Sequence, residues 1–184
     1  MRVNLKRDMA TGNKVQTYQA EYSQAAYRHT NGILTPTICL KNITDQDGNL
    51  VADHMWFNYS NNFRKLGELH TDDKLTFRAS VRVYHKGHGY SKADYKLTDP
   101  KSVQLLTERP YVPVPNDKKL LIGYILIKNH MHLKEKSREK GDYAQEYMNW
   151  ALQKYKEMTS KKSNLKQLKS GNYDEKYVIK KRVN

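Results

Sequence analysis

From Lys74 to Tyr84 the chain alternates strictly between apolar and polar positions. Leu75, Phe77, Ala79, Val81 and Val83 fall on one side of an extended chain; Lys74, Thr76, Arg78, Ser80, Arg82 and Tyr84 fall on the other. Successive side chains of a strand point to opposite faces, so this pattern predicts one face in a core and one basic face outside it. The residues that follow, His85 to Tyr90 (HKGHGY), mix basic, aromatic and glycine positions and read as a loop that continues through Tyr95.

The other elements arrange themselves around this strand. Residues 1–13 read as a polar lead-in. In Lys14–Tyr27, Tyr18 and Tyr22 stand at helical spacing, while Tyr18, Ala20 and Tyr22 also share one face of a strand. The sequence HTNG at 29–32 signals a turn. Ile33–Thr44 reads as a strand with Ile38 and Leu40 inward and Pro36 near its start, where a missing donor is tolerated. DQDGN at 45–49 predicts a hairpin turn, after which Leu50–Tyr59 returns as a strand. Ser60–Gly67 fits one or two turns of helix between a Ser/Asn start and a terminal glycine. Val103–Thr107 is a last short strand. Strand, strand, strand, short helix, strand, strand is the order of a five-stranded OB-like β-barrel, and that order favours the strand reading of residues 14–27.

Beyond Arg109 the pattern changes. PYVPVP at 110–115 reads as an extended connector, and Asn116 or Asp117 caps a helix that is apolar almost all round in its first turns. A strand over Leu120–Ile127 is the alternative. Asp142 opens a cleaner helix, with Gln145 completing a capping box and Tyr143, Tyr147, Trp150, Ala151 and Tyr155 on one stripe. Residues 160–184 read as a mobile tail or a marginal helix that orders against a polyanion. The expected class is thus α+β: a barrel over 14–109 followed by a basic helical extension over 116–184.

Charge gives this architecture a direction. The 184 residues carry 33 Lys and Arg against 19 Asp and Glu, a formal charge of +14, which draws polyanions. The segment MRVNLKRDMATGNK lacks the apolar core of a signal peptide, and no window approaches the roughly 18 apolar residues of a membrane span. Cys39 is the only cysteine, which excludes an internal disulfide and suits a reducing cytoplasm. Fourteen tyrosines against three phenylalanines supply rings with polar tips.

The candidate nucleic-acid contacts are Lys74, Arg78, Arg82, Tyr84, Lys86, Tyr90, Lys92, Tyr95 and Lys96 on the strand face and loop, Arg64 and Lys65 on the short helix, and Lys161 and Lys162 in the extension. Cations would meet phosphates and rings would stack on bases; the same face could equally be a solvated one. Trp56 points opposite to Phe57 and Tyr59. With the latter two in the barrel it is left as a candidate stacking platform, although a Trp beside the helix closing a barrel is more often core. His85 and His88 flank Lys86 and Gly87, and two histidines near a lysine can cleave RNA without metal, as base and acid. His130 and His132, two apart, suit joint ligation only on a strand. Asp53 and His54 lack a second carboxylate cluster, so no metal is expected. Nor is any cofactor: the sequence holds no P-loop, GxGxxG, CxxC or nucleophile elbow. Cys39, in an apolar strand, reads as inert core.

The run TICLKNITDQDGNLVADHMWFNYSNNFRKLG, with DDKLTFRASVRVYHKGHGY and DYKLTDPKSV after it, resembles a barrel module found in small proteins of phages and mobile elements of Gram-positive bacteria. The shared features are DH-WF, a helix, D-L-F-A-V-Y-KG and DYKL-P, and the match covers residues 14–107. In charge and architecture the chain is also similar to type II-A anti-CRISPR proteins. That resemblance implies an inhibitor of the RNA-guided effector nuclease, acting in the bacterial host on the guide RNA or its complex. It carries no catalytic residue onto this sequence. The segment after residue 110 lies outside the module and would determine the target. The alternatives are a general binder of single-stranded DNA or RNA and a weak metal-independent ribonuclease.

Overall fold

The strand beginning at Gln16 is the hub of the sheet. In a computed structural model that describes residues 3–10, 15–87, 92–129 and 138–169, β1 (Gln16–Thr30) pairs along its first half with β4 (Lys74–Lys86) and along its second half with β2 (Ile33–Thr44). β3 (Leu50–Asn58) continues from β2, and β5 (Lys92–Leu105) from β4. Among the described residues this makes one five-stranded antiparallel sheet in the order β3-β2-β1-β4-β5. The helices are α1 (Val3–Ala10), α2 (Asn61–Arg64), α3 (Lys118–Lys128) and α4 (Arg138–Lys169). The class is α+β, as the sequence pattern predicts. β3 and β5 are the two edges, and no ladder joins them among the described residues; the Leu97 N–H donates to Met55 Sδ (3.2 Å) across the seam.

The spacing of Tyr18, Ala20 and Tyr22 is that of a strand, and all three are buried. Tyr18 packs 6.0 Å from Phe77 of β4, a cross-strand contact that helical spacing could not supply. The β1–β2 connection is the two-residue turn Asn31-Gly32, with φ of 49° and 76°, the left-handed pair that matches strand twist and that Asn and Gly adopt cheaply. In the turn after β2, Asp45 does the holding. Its carboxylate accepts the N–H groups of Asp47 (3.0 Å) and Asn49 (2.9 Å) and pairs with Arg7 (2.8 Å).

That ion pair changes the status of the N-terminus. Residues 3–10 form α1, not part of a featureless lead-in: Leu5 is fully buried in the common core, and the Asp8 carboxylate accepts the Tyr18 hydroxyl at 3.2 Å. Leu5 is the residue of this eight-residue helix that joins the common core, and so short a stretch gives little period to read.

Phe57, Phe63 and Phe77 form the centre of the core, with ring separations of 6.1 and 5.8 Å about Phe57. Leu121, Tyr124 and Ile125 of α3 enter the same core. Asp117 caps this helix, accepting from the N–H groups of Lys119 (2.8 Å) and Leu120 (3.0 Å). Residues 121–126 are buried all round because α4 covers the side that the sheet does not. Gly123 permits the close approach: a Cβ there would stand 2.7 Å from Tyr147 Cβ. Tyr147 meets Tyr124 edge-on at 5.6 Å and carries Trp150 stacked at 5.8 Å. The stripe expected along α4 therefore packs as far as Trp150 and Ala151, but Tyr155 is 68% exposed. α4 also begins at Arg138, which puts Asp142 inside the helix and not at its cap.

The β4–β5 connection differs most from expectation. Strand structure resumes at Lys92, opposite Lys86, and runs unbroken to Leu105. Pro100 and the polar run around it resemble a turn in sequence. They fit a strand here because β5 is an edge, where proline's missing donor is tolerated. Register shifts opposite Arg78 and left-handed φ values at Asp99 (53°) and Ser102 (50°) absorb the irregularity.

Candidate nucleic-acid interface

The alternation of β4 does what it predicts over its first half. Leu75, Phe77 and Ala79 are buried, while Lys74, Arg78 and Arg82 are exposed. Toward the hairpin end the core runs out, and Val83 is exposed.

Pairing with β5 decides what stands beside these cations. Residues directly opposite in an antiparallel pair share a face. Lys101 lies opposite Arg78, Lys96 opposite Arg82, and Lys92 opposite Lys86; Lys86 is placed here by backbone register alone. The result is three rungs of like charge, four residues apart along β4, or about 13 Å between rungs at strand rise. Between the first two, Thr98 Oγ1 donates to Ser80 O at 3.3 Å. Tyr84 lies beyond Arg82 on the same face, with its hydroxyl 3.4 Å from Asp94 Oδ2 and the Lys96 ammonium 5.5 Å from its ring centre. Directly opposed like charges destabilise a sheet. Arg82 has Asp99 at 3.9 Å, well exposed, a pair of little strength in water.

The seam between the sheet edges supplies the aromatic component. Trp56 is 43% exposed, whereas Phe57 and Tyr59 are 6% and 4% exposed. The tryptophan therefore lies outside the core and its neighbours lie within it. It borders a cleft of about 510 Å³ between β3 and β5 that Arg28, Asn58, Asn62, Lys96 and Lys101 also line. A second hollow of about 320 Å³ lies on the β1–β2 side of the same tryptophan, again with Arg28 and Asn58. Asn62, in α2, donates its amide N–H to Pro100 O at 2.9 Å and so ties the helix to β5.

The structure thus brings together Arg78, Arg82, Tyr84, Lys92 and Lys96, with Lys86 in register and Trp56 at the margin. Other candidates lie apart. Tyr95 pairs with Val83, on the opposite face from Tyr84, and packs against the core. His85 pairs with Ala93 on that same opposite face and is exposed. Arg64 donates to Asn116 O (2.8 Å) and, with Lys65, Trp150 and Lys154, lines a different hollow of about 500 Å³ beside the connector. Lys74 is exposed at the start of β4. Lys161 and Lys162 lie on the backbone of α4, with their side chains outside the described residues. His88, Tyr90, His130 and His132 fall outside them altogether.

Arg28 and Lys101 were not legible as site residues. Lys101 stands two positions before Val103, so extending the last strand backward would have found it. Arg28, in β1, reaches the cleft only through the topology. Asp53 and His54 are exposed on β3, and among the described residues no group of three His, Cys, Asp or Glu is placed to hold a metal ion. Cys39 is buried, and burial pushes its thiol pKa up. Among the described residues no helix is long and apolar enough to cross a membrane. Comparison with known protein families, curated proteins and solved structures finds no match.

Proposed function

We propose that this protein binds nucleic acid along the outer face of β4 and β5. The observation that carries the reading is the set of three like-charge rungs, Arg78–Lys101, Arg82–Lys96 and Lys86–Lys92. Isolated, each rung opposes like charges at a cost in stability; a phosphate chain laid across them adds counter-charge to that which Asp99 gives Arg82 and which Asp94 brings between the second and third rungs. Tyr84 and Trp56 add rings at the margins of that track. The strand order and the helix between β3 and β4 suit an OB-like barrel left open at its β3–β5 seam.

The target comes from resemblance. A basic protein similar to type II-A anti-CRISPR proteins would take the guide RNA, alone or in the effector nuclease, and disable the nuclease. The deciding experiment incubates labelled guide RNA with the protein, with and without the effector, on native and denaturing gels. A supershift that requires the effector supports the anti-CRISPR reading. A guide shortened by the wild type and left intact by His85→Ala/His88→Ala turns the reading into an enzymatic one. Salt-sensitive shifts of any single strand, without an effector-dependent species, leave a general single-strand binder. No shift with any nucleic acid refutes the proposal.

A further inference from the structure

The seam cleft has a chemistry distinct from the charge track, and we infer that it is a pocket for one unpaired nucleobase stacked on Trp56; this rests on the nucleic-acid reading above. Its volume, about 510 Å³, falls in the range of clefts that hold small ligands, about 300–1,000 Å³. Trp56, well exposed, stands at the wall. Asn58 brings a side-chain amide with donors and an acceptor, Asn62 a second whose N–H also donates to Pro100 O, and Asp99 a carboxylate acceptor, together the complement of a base edge. Arg28, Lys96 and Lys101 stand around it as phosphate partners. Lys96 and Lys101 are also members of the rungs, so a strand on the track reaches the cleft without leaving its cations.

A cleft between two sheet edges could instead accept a peptide as an added strand. β5 is a poor template for that. The Leu97 N–H is directed at Met55 Sδ, Pro100 has no N–H, and Asp99 and Ser102 hold left-handed φ values of 53° and 50° that break the row of edge groups. The polar side chains of the cleft, not its backbone, are positioned to contact a ligand. A base paired in a duplex cannot enter, so the pocket selects single strands or loops.

The test uses the full chain and three labelled probes: a 12-nucleotide oligouridylate, the same backbone with every base removed, and a matched RNA duplex. Trp56→Ala should weaken oligouridylate binding by about ten- to hundredfold while leaving the abasic backbone and the duplex within twofold of wild type. In Trp150→Phe protein, where Trp56 is the one remaining tryptophan, oligouridylate should quench the emission and the abasic chain should not. Asn62→Ala, judged beside a melting curve, covers the case in which the Trp56 variant does not fold. Oligouridylate binding unaltered by Trp56→Ala, with Trp56 emission unquenched, overturns the pocket and leaves the track standing. Failure of wild type to bind any probe overturns both.

Discussion

Replacing Arg78 and Arg82 by glutamine removes one cation from each of two rungs and leaves Lys101 and Lys96 opposite neutral partners. On a single strand, each neutralised phosphate contributes about 0.7 to the slope of log K against log salt. The four cations of these two rungs therefore contribute about 2.8, and the double variant loses about 1.4. At 0.1 M salt that loss corresponds to about 25-fold weaker binding, and it vanishes toward 1 M. The same change relieves two opposed like-charge pairs, each costing about 0.2–1 kcal/mol. The ligand-free variant should therefore melt about 1–8 °C higher at low salt, where screening is least. Fluorescence anisotropy from 50 to 300 mM KCl and thermal unfolding read the two quantities. Lys118→Gln/Lys119→Gln is the control, because it removes the same charge from exposed positions at the start of α3. A slope unchanged by Arg78→Gln/Arg82→Gln, or lowered equally by the control, refutes the track and reduces the effect to net charge. A lower melting temperature refutes the account of the rungs as strained by repulsion.

Gly123→Ala should lower stability by about 1–3 kcal/mol, seen as a drop in melting temperature, because its Cβ would collide with α4 at Tyr147; a higher melting temperature would show that the helices do not cross there. At Asp45, burial raises the carboxyl pKa, but hydrogen bonds from Asn49 and Asp47 and the Arg7 charge outweigh it, and the net shift is downward. A depressed carboxylate contributes stability that is fully present above its unfolded pKa of about 3.9 and is lost as pH falls through the folded value. Acid unfolding curves of Asp45→Asn should accordingly be flatter below pH about 4 than those of wild type, and coincident curves would count against this role. The Cys39 thiol, buried and raised in pKa, should react with an aromatic disulfide reagent only at the rate of unfolding; rapid labelling of the native protein would contradict its burial.

The elements with their own strong period were legible. β4 could be read from alternation and the β1–β2 and β2–β3 turns from their Asn-Gly and Asp-Gly residues, whereas the apolar run of α3 left helix and strand open and its cap undecided between Asn116 and Asp117. Trp56 could be set on the opposite face from Phe57 and Tyr59, but its exposure could not be read, because a Trp beside the closing helix is more often core. Elements held by few or distant contacts could not be read. α1 depends on Leu5 and on ion and hydrogen bonds to residues far along the chain, and β5 crosses a proline that only an edge position tolerates.

By itself the sequence determined the charge, the α+β class, and the presentation of Arg78, Arg82 and Tyr84 on one face, because alternation is a local property of the backbone. Tertiary structure alone decided that Lys96 and Lys101 stand opposite those arginines, that Tyr95 turns to the other side, and that Arg28 and Asn62 meet Trp56 in the open seam. Each of these depends on strand register and on which edges remain unpaired. A shift of one residue in register reverses every side chain of a strand, so no reading of β5 in isolation could have assigned its cations to the track.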